Sequence, residues 1–454
     1  MTGRLPPKPQ ARPDRVSLWR YMQLFRRDIL SAQPAKLYRA WMAAFRTPFF
    51  HSYLINDPKL IRLVLNDRPD DFPKSDRIGA GLRPLLGESV FLTNGEVWKR
   101  QRRIIDPAFE GGRLRDAFQA IVAAGAGAVV RIAPSADNAP QEIEAITSHL
   151  AADVIFRTLF SIPIEDAAAR KVFDEFRAYQ RSQPILNLAA FIAGPAWMPR
   201  LFRSKTRRTA RNIRRLITQL TTDRLALIAA GTAPDDLATK IMTTPDPETG
   251  EVFTLPEMAD QVAIFFLAGH ETSASALAWA LYLLALHPDW QNKVAAEAQE
   301  FSFEFAGLSG LKVTRDVFRE ALRLYPPVPM MVRQTTQPET FRERPLKVGA
   351  QVVLSPWHLH RHNRIWDDPD AFDPGRWSTE NGKQSARDAY LPFSSGPRVC
   401  TGAGFAMIEG VTLLAQLLLH YEFAIVDGME PIPVAHLTVR ARDGIWLRFG
   451  PRAS

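Results

Sequence analysis

Hydrophobic positions recur with a helical period through most of the middle of the chain. Apolar residues spaced three and four positions apart predict amphipathic helices. Helices are predicted over residues 57–67, 95–105, 111–132, 141–160, 164–181, 205–230, 254–286, 313–324 and 402–420. Short apolar runs predict strands at Phe49–Ile55, Met331–Thr336, Leu346–Leu354 and near both ends of residues 421–449. The pattern predicts a mainly α fold with a smaller β portion.

The longest predicted helix, over residues 254–286, is apolar on both faces. Thr254 and Glu257 have the spacing of a capping box, in which each side chain bonds the other's backbone N–H. His287-Pro288 ends the helix because proline cannot continue it. A helix without a polar face is predicted to be buried on all sides, as the central strut of the fold.

The stretch from Pro356 to Val399 has little periodicity and is rich in Pro, Asp, Ser and Gly. A loop of that length inside a globular protein is usually functional, or it contains elements that the pattern does not reveal. It ends at the chain's one cysteine, Cys400. A single cysteine excludes an intramolecular disulfide and excludes zinc or iron–sulfur sites built from several cysteines.

We expect one domain over residues 1–454, with residues 1–46 as an N-terminal tail and helix and no fused reductase or ferredoxin module. The first thirty residues lack the apolar core of a signal peptide, and no uncharged apolar stretch reaches the length of a membrane span. Leu18–Leu30 mixes aromatic residues with arginines and could lie on a membrane surface, but we favour a packed helix. These features predict a cytoplasmic protein without a transmembrane segment.

Basic residues outnumber acidic ones by 57 to 48, which gives a formal net charge of +9. Such a surface favours nucleic acid, an anionic membrane or an acidic protein partner. A generally basic, solvated surface explains the charge equally well, so the charge alone does not choose a partner.

The residues around Cys400 form a glycine-bounded loop: Phe393-Ser394-Ser395-Gly396-Pro397-Arg398-Val399-Cys400-Thr401-Gly402. Glycines permit tight turns and a close approach of backbone to a flat ligand. Backbone N–H groups at the start of the next helix stabilise a sulfur anion. A lone cysteine is usually only a small buried apolar residue. Whether Cys400 has a chemical role must therefore be judged from the residues around it.

This loop resembles the cytochrome P450 signature, Phe-x-x-Gly-x-Arg-x-Cys-x-Gly, at all five fixed positions. The resemblance implies that the Cys400 thiolate binds the iron of haem b. It implies further that Arg398 reaches a haem propionate and that Phe393 shields the sulfur from water. Gly396 and Gly402 would let the loop turn against the macrocycle.

Ala268-Gly269-His270-Glu271-Thr272-Ser273, in the long helix, is similar to the family's oxygen-activation segment. By this resemblance Ala268 and Gly269 let the helix pass close to the haem, and Glu271 and Thr272 are the acid–alcohol pair that delivers protons. Ser273 stands where the family usually has a second threonine, a departure that keeps the hydroxyl. Glu271 lies between apolar flanks, where an unpaired charge is costly.

Two further motifs occur in the family's order. Glu320 and Arg323 match Glu-x-x-Arg, and Arg376 lies in a segment similar to Phe-x-Pro-x-Arg-Trp. The resemblance implies that these three residues form a buried network that holds the cysteine loop. The propionate ligands that it implies are Trp98, Arg102 and Arg333, of which Arg333 could equally be a surface arginine.

The resemblance implies a haem-thiolate monooxygenase that inserts one oxygen atom from O2 into a lipophilic small molecule. A monomer would receive electrons from a separate ferredoxin or flavodoxin with its reductase, and no nucleic acid would be involved. A peroxide-driven peroxygenase and a non-enzymatic haem sensor are the alternatives. The Glu271–Thr272 pair argues against the peroxygenase, because peroxide-using members of the family tend to lack it.

The predicted pocket wall is apolar and comprises Phe265, Phe266, Val328, Pro329, Met330, Met331 and Val332, with Pro184–Trp197 as a substrate lid. Arg77 or Arg83 could anchor a substrate carboxylate. Lys99, Arg100 and Arg103 are expected to point partly toward solvent and to form a positive patch for an acidic redox partner. His358, His360 and His362 alternate as they would on a metal-binding strand, but no fourth ligand is evident and we do not favour metal binding there.

Overall fold

Helices form most of the protein, and a computed structural model describes residues 4–46, 51–182, 204–435 and 437–452. The helices are α1 (Leu18–Arg27), α2 (Pro58–Arg62), α3 (Asp76–Leu86), α4 (Gly95–Ile105), α5 (Arg113–Ile132), α6 (Ile143–Phe160), α7 (Ala167–Ser182), α8 (Ser204–Ala229), α9 (Leu237–Thr243), α10 (Leu255–Leu286), α11 (Pro288–Gln299), α12 (Lys312–Leu324), α13 (Pro356–Leu359), α14 (Glu380–Ala389) and α15 (Ala403–His420). The mainly α fold class is confirmed.

All nine predicted helices are present, with bounds that differ from the prediction by a few residues. The first of them is α2, which continues as a π-helical turn over Leu63–Asp67. The favoured N-terminal helix is α1, whose Phe25 is buried in the core. Helices α3, α9 and α11 were not predicted. Gly79, Gly81 and Pro84 interrupt the pattern of α3, because glycine and proline are poor residues for a helix interior.

The long helix α10 is the central strut that its composition predicts. The Thr254 N–H donates to Glu257 Oε2 at 2.9 Å, which closes the capping box. Most of its side chains are buried, including the core residue Trp279. The Trp279 ring stacks on Tyr325, which follows α12, with centroids 3.9 Å apart. Helix α10 packs against α6, α8 and α12.

The strands form small sheets at the edges of the helical body. They are β1 (Met42–Arg46), β2 (His51–Ile55), β3 (Pro140–Glu142), β4 (Met331–Gln334), β5 (Glu339–Phe341), β6 (Arg344–Leu346), β7 (Gln351–Leu354), β8 (Tyr421–Ile425), β9 (Pro433–Ala435), β10 (Val439–Ala441) and β11 (Trp446–Pro451). The largest sheet has the order β1-β2-β7-β4, and a second has the order β3-β11-β8. Strands β9 and β10 form an antiparallel hairpin.

The single strand predicted over Leu346–Leu354 was wrong, because its two ends belong to different sheets. β6 pairs with β5, whereas β7 pairs with β2 and β4. Gly349 lies between them with φ +79°, a left-handed conformation that glycine adopts without steric cost.

The region from Pro356 to Val399 was predicted as one long loop, and this was only partly right. It contains α13, a 3-10 turn over Pro374–Ser378, and α14. α13 and the 3-10 turn are too short to show a helical period. Side-chain caps hold the first turns of α13 and α14. Ser355 accepts the His358 N–H at the start of α13, and Thr379 accepts the Gly382 N–H at the start of α14.

A fully buried carboxylate, Glu320, joins α12 to this region. Arg323 donates to both of its oxygens, at 2.9 and 2.8 Å, and Arg376 donates to Oε1 at 2.9 Å. Burial alone would raise the pKa of Glu320, but the charges and hydrogen bonds of the two arginines bring it below its usual value. Removing one member would leave the others charged and unpaired in the interior.

By length and apolar composition, two helical segments in the described part of the chain could cross a membrane. They are Arg113–Ser135, which includes α5, and Ala403–His420, which is α15. The two helices pack against each other in the body of the protein. The core helix of a soluble protein passes the same test, so the finding is weak evidence for a membrane span.

Candidate active site

One large cavity, of about 2270 Å³, separates α10 from the cysteine loop. It brings together most of the residues that the sequence singles out. Those on its wall are Trp98, Arg102, Ala268, Gly269, Glu271, Thr272, Arg333, Phe393, Arg398, Cys400 and Gly402. Gly396 lies behind the loop instead, against Leu65.

The cysteine loop is closed by its own backbone. The Cys400 N–H donates to the Phe393 carbonyl at 2.9 Å, and the Val399 N–H donates to the Gly396 carbonyl at 3.0 Å. Gly396 has φ +70°, and a Cβ there would lie 1.9 Å from the Leu65 carbonyl oxygen. Only glycine therefore fits where the loop crosses the turn that follows α2.

Cys400 is exposed, and it lines the cavity. Burial raises the pKa of the thiol, while the Gly402 backbone N–H and the charge of Arg102 act in the opposite direction. A Cβ added at Gly402 would meet no atom within 4 Å. The first turn of α15 thus presents a bare backbone edge next to the sulfur.

His360 supports the start of this loop from behind. Its Nδ1 bonds the Arg323 carbonyl at 3.1 Å, and its Nε2 accepts the Leu391 N–H at 2.8 Å. Burial, with the nearby Arg323 charge, lowers the pKa of His360 to about 3. The neutral ring therefore connects the buried Glu320 network to the loop that carries Cys400.

Four cations line one side of the cavity: Lys74, Arg102, Arg333 and Arg398. Arg398 lies over the Trp98 ring at 4.0 Å and donates to Asn94 Oδ1 at 2.9 Å. Lys74 donates to the Phe91 carbonyl at 2.7 Å. Burial is the main cause that lowers the pKa of Arg333 and of Arg398 to about 10. The Arg398 charge adds to the shift of Arg333, whereas for Arg398 the Asp70 charge opposes the shift and the Arg102 charge adds to it.

This cluster fits an anionic ligand. In the described part of the chain, Lys74, Arg333 and Arg398 bond neutral oxygens, whereas Arg102 also pairs with Asp106 at 2.8 Å. Desolvated positive charges gathered on one wall favour an anion between them. The propionates of haem b are such anions, and the open backbone at Gly402 leaves room for a flat ring beside Cys400. The residues present therefore fit this cofactor.

The opposite wall is the Ala268–Ser273 segment of α10. The Thr272 hydroxyl donates to the Ala268 carbonyl at 2.5 Å. The acceptor lies four residues earlier, at the same spacing as a backbone hydrogen bond of an α-helix. Gly269 lines the cavity and also lies close to α6. A Cβ there would lie 2.2 Å from Ile155 Cδ1, so the glycine lets α10 approach α6.

The carboxylate of Glu271 is buried and paired, which explains how it is tolerated among apolar neighbours. Its Oε1 accepts from Arg440 Nη2 at 2.6 Å and from the Thr438 hydroxyl at 2.7 Å. Both partners lie in or beside β10. Glu271 and Thr272 therefore share the cavity, but each side chain is hydrogen-bonded to a different neighbour.

The Ser273 hydroxyl is hydrogen-bonded to a second buried acid. It donates to Glu409 Oε2 on α15 at 2.6 Å. Burial raises the pKa of Glu409 to about 8, with the Ser273 hydrogen bond acting against the shift. Glu409 lines the cavity and was not predicted from the sequence, because one glutamate in an apolar helix has no motif of its own.

The apolar wall agrees with the prediction at most positions. Phe265 and all five residues from Val328 to Val332 line the cavity. Phe266 does not, because it packs in the core with its ring 4.6 Å from that of Phe156. The predicted lid, Pro184–Trp197, lies outside the described residues.

Of the two arginines proposed as carboxylate anchors, one lines the cavity and the other does not. Arg77 lines the cavity. Arg83 turns outward and pairs with Glu88 at 2.9 Å, with about half of its side chain exposed. Only Arg77 is therefore placed to meet a ligand, and the choice of Arg83 was wrong.

The positive patch expected on α4 is largely neutralised, which corrects the prediction. Lys99 pairs with Glu96 at 2.8 Å. Arg100 pairs with Glu257 at 2.7 Å, and Arg103 pairs with Asp246 at 2.6 Å. Arg100 and Arg103 are mostly buried by these contacts. The helix pattern alone could not show acids supplied by distant parts of the chain.

The three alternating histidines do not lie on a strand. His358 belongs to α13, where its Nδ1 bonds Ser355 Oγ at 2.8 Å. His362 stacks on Trp41 with ring centroids 4.4 Å apart. Within the described ranges, no group of three or more potential ligand side chains could hold a metal ion.

Besides Glu409, two cationic residues of the cavity were not found from the sequence. Lys74 joins the cationic wall from the loop before α3, and Arg440 reaches Glu271 from β10. Neither lies in a motif. Lys74 follows Asp-Phe-Pro in an irregular stretch, and Arg440 is one of several arginines near the end of the sequence. Contact across more than 160 positions leaves no local signal.

Comparison with known proteins agrees with this geometry. The family model described as "Cytochrome P450" matches residues 21–447. Cyclooctat-9-en-7-ol 5-monooxygenase of Streptomyces melanosporofaciens is 32% identical over 386 residues, 83% of this chain and 81% of that protein. Human cytochrome P450 4F12 is 28% identical over 449 residues, 93% of this chain and 84% of that protein.

A solved structure, the cytochrome P450DA heme domain, superposes with a TM-score of 0.79 at 22% identity, covering 99% of this chain and 98% of that one. At that identity the likeness shows the fold alone. The family match, the relatives and the cavity that holds Cys400 lead to one conclusion: the chain belongs to the cytochrome P450 family of monooxygenases, which bind haem b through a cysteine thiolate.

Proposed function

We propose that the protein inserts one oxygen atom from O2 into a lipophilic small molecule, using electrons from a separate ferredoxin or flavodoxin with its reductase. One observation carries the proposal. The cavity has the Cys400 thiol on one wall and the Thr272 hydroxyl with the Glu271 carboxylate on the other. A haem sensor needs the cysteine that binds the haem, but it does not need the proton-delivering Thr272 and Glu271.

Bound haem would supply the oxygen-activating chemistry, and the Cys400 thiolate would bind its iron. Lys74, Arg102, Arg333 and Arg398 would hold its propionates, and Gly396, Gly402 and Phe393 would shape and shield the loop. The Arg102 guanidinium also donates to the Val399 carbonyl at 2.7 Å, which ties the propionate site to the residue before the cysteine. Electron donation from a thiolate favours cleavage of the O–O bond.

Ala268 and Gly269 would border the oxygen side, and Thr272 and Glu271 would handle protons there. The Thr272 hydroxyl can release the Ala268 carbonyl and donate into the cavity instead. It must then receive a proton in return, and Glu271 is the nearest acid along the helix. Positioned proton transfer of this kind contributes about 100-fold or more to a rate.

The substrate class follows from the wall that faces Thr272. Phe265, Val328, Met330 and Met331 are apolar and line the cavity, so burial of an apolar molecule is favoured there. Arg77 lies on the same cavity and would suit a substrate with a carboxylate. The Streptomyces relative is named for a terpenoid alcohol, a molecule of this lipophilic kind.

The redox partner would dock where α4 and the cysteine loop come near the surface. Val399 is exposed there, and Lys99 is the α4 cation with the most exposed side chain, at 44%. Arg103 forms an ion pair with the buried Asp246, so the charge reversals Lys99→Glu and Arg103→Glu should have different effects. The first should slow reduction by an acidic partner at low salt, whereas the second should chiefly destabilise the protein. Equal reduction kinetics in Lys99→Glu and the wild type at low ionic strength would place the docking site elsewhere.

We further propose that the chain acts as a single domain and as a cytoplasmic monomer without nucleic acid. A basic net charge suits an acidic protein partner, and no nucleic-acid-binding motif is evident in the sequence. Sedimentation of the purified protein at several concentrations would test the monomer.

Substrate consumption tests the function directly. The haem-loaded protein is first screened against lipophilic compounds for a spin-state shift. Each hit is then supplied with NADH and surrogate redox partners, or with peroxide alone. Product should form with NADH, partners and O2. Product from peroxide alone would identify a peroxygenase, and no turnover under either condition would support a sensor.

A further inference from the structure

The proton-delivering acid of α10 is tied to a hairpin more than 160 positions later. Glu271 accepts from Thr438 and from Arg440, and the Ser275 hydroxyl one turn along donates to the Val439 carbonyl at 2.5 Å. All three contacts reach the hairpin β9–β10. The oxygen-side segment of α10 and this hairpin are therefore one packed unit.

A second carboxylate reaches the same hairpin from the other side. Glu144, in the first turn of α6, accepts the Ala441 N–H at 3.0 Å. Ala441 is the residue after Arg440, so the two acids bond neighbouring residues of β10. Glu144, Glu271 and Arg440 all line the cavity, together with the exposed residues Arg442 and Asp443 at its rim.

We propose that Glu144 is the proton-entry group of this enzyme and that Arg440 positions Glu271 to receive the proton. This inference rests on the monooxygenase function proposed above. A proton passes from the Glu144 carboxyl to the Glu271 carboxylate through water in the cavity, and Glu144 regains a proton from bulk water at the rim. Glu271 must leave Arg440 as it becomes neutral, because its ion pair is then lost.

The side chain of Arg440 supports this role, because about a third of it is exposed while Glu271 is nearly buried. The guanidinium thus bridges the interior and the rim. Burial raises the pKa of Glu144 to about 7, the Ala441 N–H opposes this, the Glu142 charge adds to it, and the Arg440 charge opposes it. A group that titrates near neutral pH can both hold and release a proton under working conditions.

Two histidines, on α6 and α10, have depressed pKa values, and the neighbouring Glu142 has a raised one. Burial lowers the pKa of His270 to about 3, and burial lowers that of His149 also. Arg177 on α7 contributes a fixed positive charge to both histidines. Burial raises the pKa of Glu142 above its usual range, with the Ala145 N–H acting against it. Glu409, near 8, faces Ser273 and is a separate group.

Five variants test the proposal in the haem-loaded protein. Glu144→Gln keeps an oxygen that can accept the Ala441 N–H, and Asp443→Asn removes the same charge from the rim. Arg440→Gln frees Glu271, Arg440→Lys keeps the cation, and Arg442→Gln removes a charge two residues away. Product formed per NADH is measured from pH 5.5 to 9, together with infrared titration of protonated carboxyl groups.

In the wild type, coupling should fall as pH rises through about 7, because Glu144 loses the proton that it delivers. Glu144→Gln should abolish that inflection and lower coupled turnover by about 100-fold, since positioned proton transfer contributes at this level or above. Its infrared band near pH 7 should disappear, while the Glu409 band remains. Arg440→Gln should move the Glu144 band to higher pH, and Arg440→Lys should restore it.

Asp443→Asn and Arg442→Gln should match the wild type in both measurements. The proposal is overturned if Glu144→Gln retains the inflection and the band, or if Arg440→Gln behaves like Arg442→Gln. Should Glu144→Gln fail to fold, the band shift in Arg440→Gln still decides the matter. Product formation by the wild type would show that the monooxygenase function stands even if this inference fails.

Discussion

Replacing Glu320 by glutamine tests the buried network that holds the cysteine loop. The carboxylate accepts from Arg323 Nε, Arg323 Nη2, Arg376 Nε and the Asp373 N–H, all at 2.8 to 3.1 Å. Glutamine has one oxygen and places an NH2 against an arginine. Two buried guanidiniums would then lack a counter-charge, and breaking a buried pair in this way costs about 3–5 kcal/mol.

That cost converts to a shift in the thermal midpoint. An unfolding entropy of about 2.1 cal/mol/K per residue over 454 residues amounts to about 1 kcal/mol/K. A loss of about 4 kcal/mol should therefore lower Tm by about 4 °C. Far-UV circular dichroism at one fixed scan rate measures the shift, because a protein of this size with a cofactor need not unfold in a two-state manner.

The matched control is Glu380→Gln, in an exposed pair with Lys383 at the same i,i+3 spacing as Glu320 and Arg323. Exposed pairs contribute little, so its midpoint should stay at the wild-type value. The pKa of Glu320 is depressed in the folded protein. Its contribution is thus complete above the ordinary value of 4.5 and is lost as pH falls below it. Equal midpoints for the two variants at pH 7 would refute the reasoning.

Three further changes test the site. Cys400→His should lose the red-shifted thiolate spectrum of the reduced carbonyl complex together with product formation; retention of both would contradict ligation by Cys400. Thr272→Ala should keep haem and substrate binding but divert NADH consumption to peroxide, with product formation reduced about 100-fold; unchanged coupling would show that the hydroxyl is not needed. Gly396→Ala should lower Tm because its Cβ would meet the Leu65 carbonyl at 1.9 Å, whereas Gly310→Ala, with nothing within 4 Å, should not; equal shifts would mean that the loop adapts.

Secondary structure could be predicted from the sequence where the local pattern and the tertiary packing agree. The capping box at Thr254 and Glu257 marks the start of α10 because it depends on residues three positions apart. Short elements were not predicted, because they have no repeated local pattern. α13 is four residues long, which is about one turn and gives no period to detect. Its caps and its neighbours hold it in place, and neither is visible in a local pattern.

The site was predictable as far as its residues lie in motifs. Cys400 and its loop are contiguous, so their spacing is visible in the sequence. The charge state of α4 was not, because Asp246 and Glu257, which pair with Arg103 and Arg100, come from distant segments. Arg440 was missed for the same reason. Pairings between distant segments depend on the assembled fold, and sequence spacing does not encode them.

The hold of the β9–β10 hairpin on α10 has a consequence for the order of events during synthesis. Thr438 and Arg440 leave the ribosome 167 and 169 residues after Glu271. Until then Glu271 has no counter-charge and is costly to bury, so α10 cannot settle fully while it is being made. Contacts of such long range form late. We expect nascent chains arrested before Thr438 to exchange amide hydrogens around Glu271 much faster than chains extended past Ala441; equal protection in both would show that α10 is complete without the hairpin.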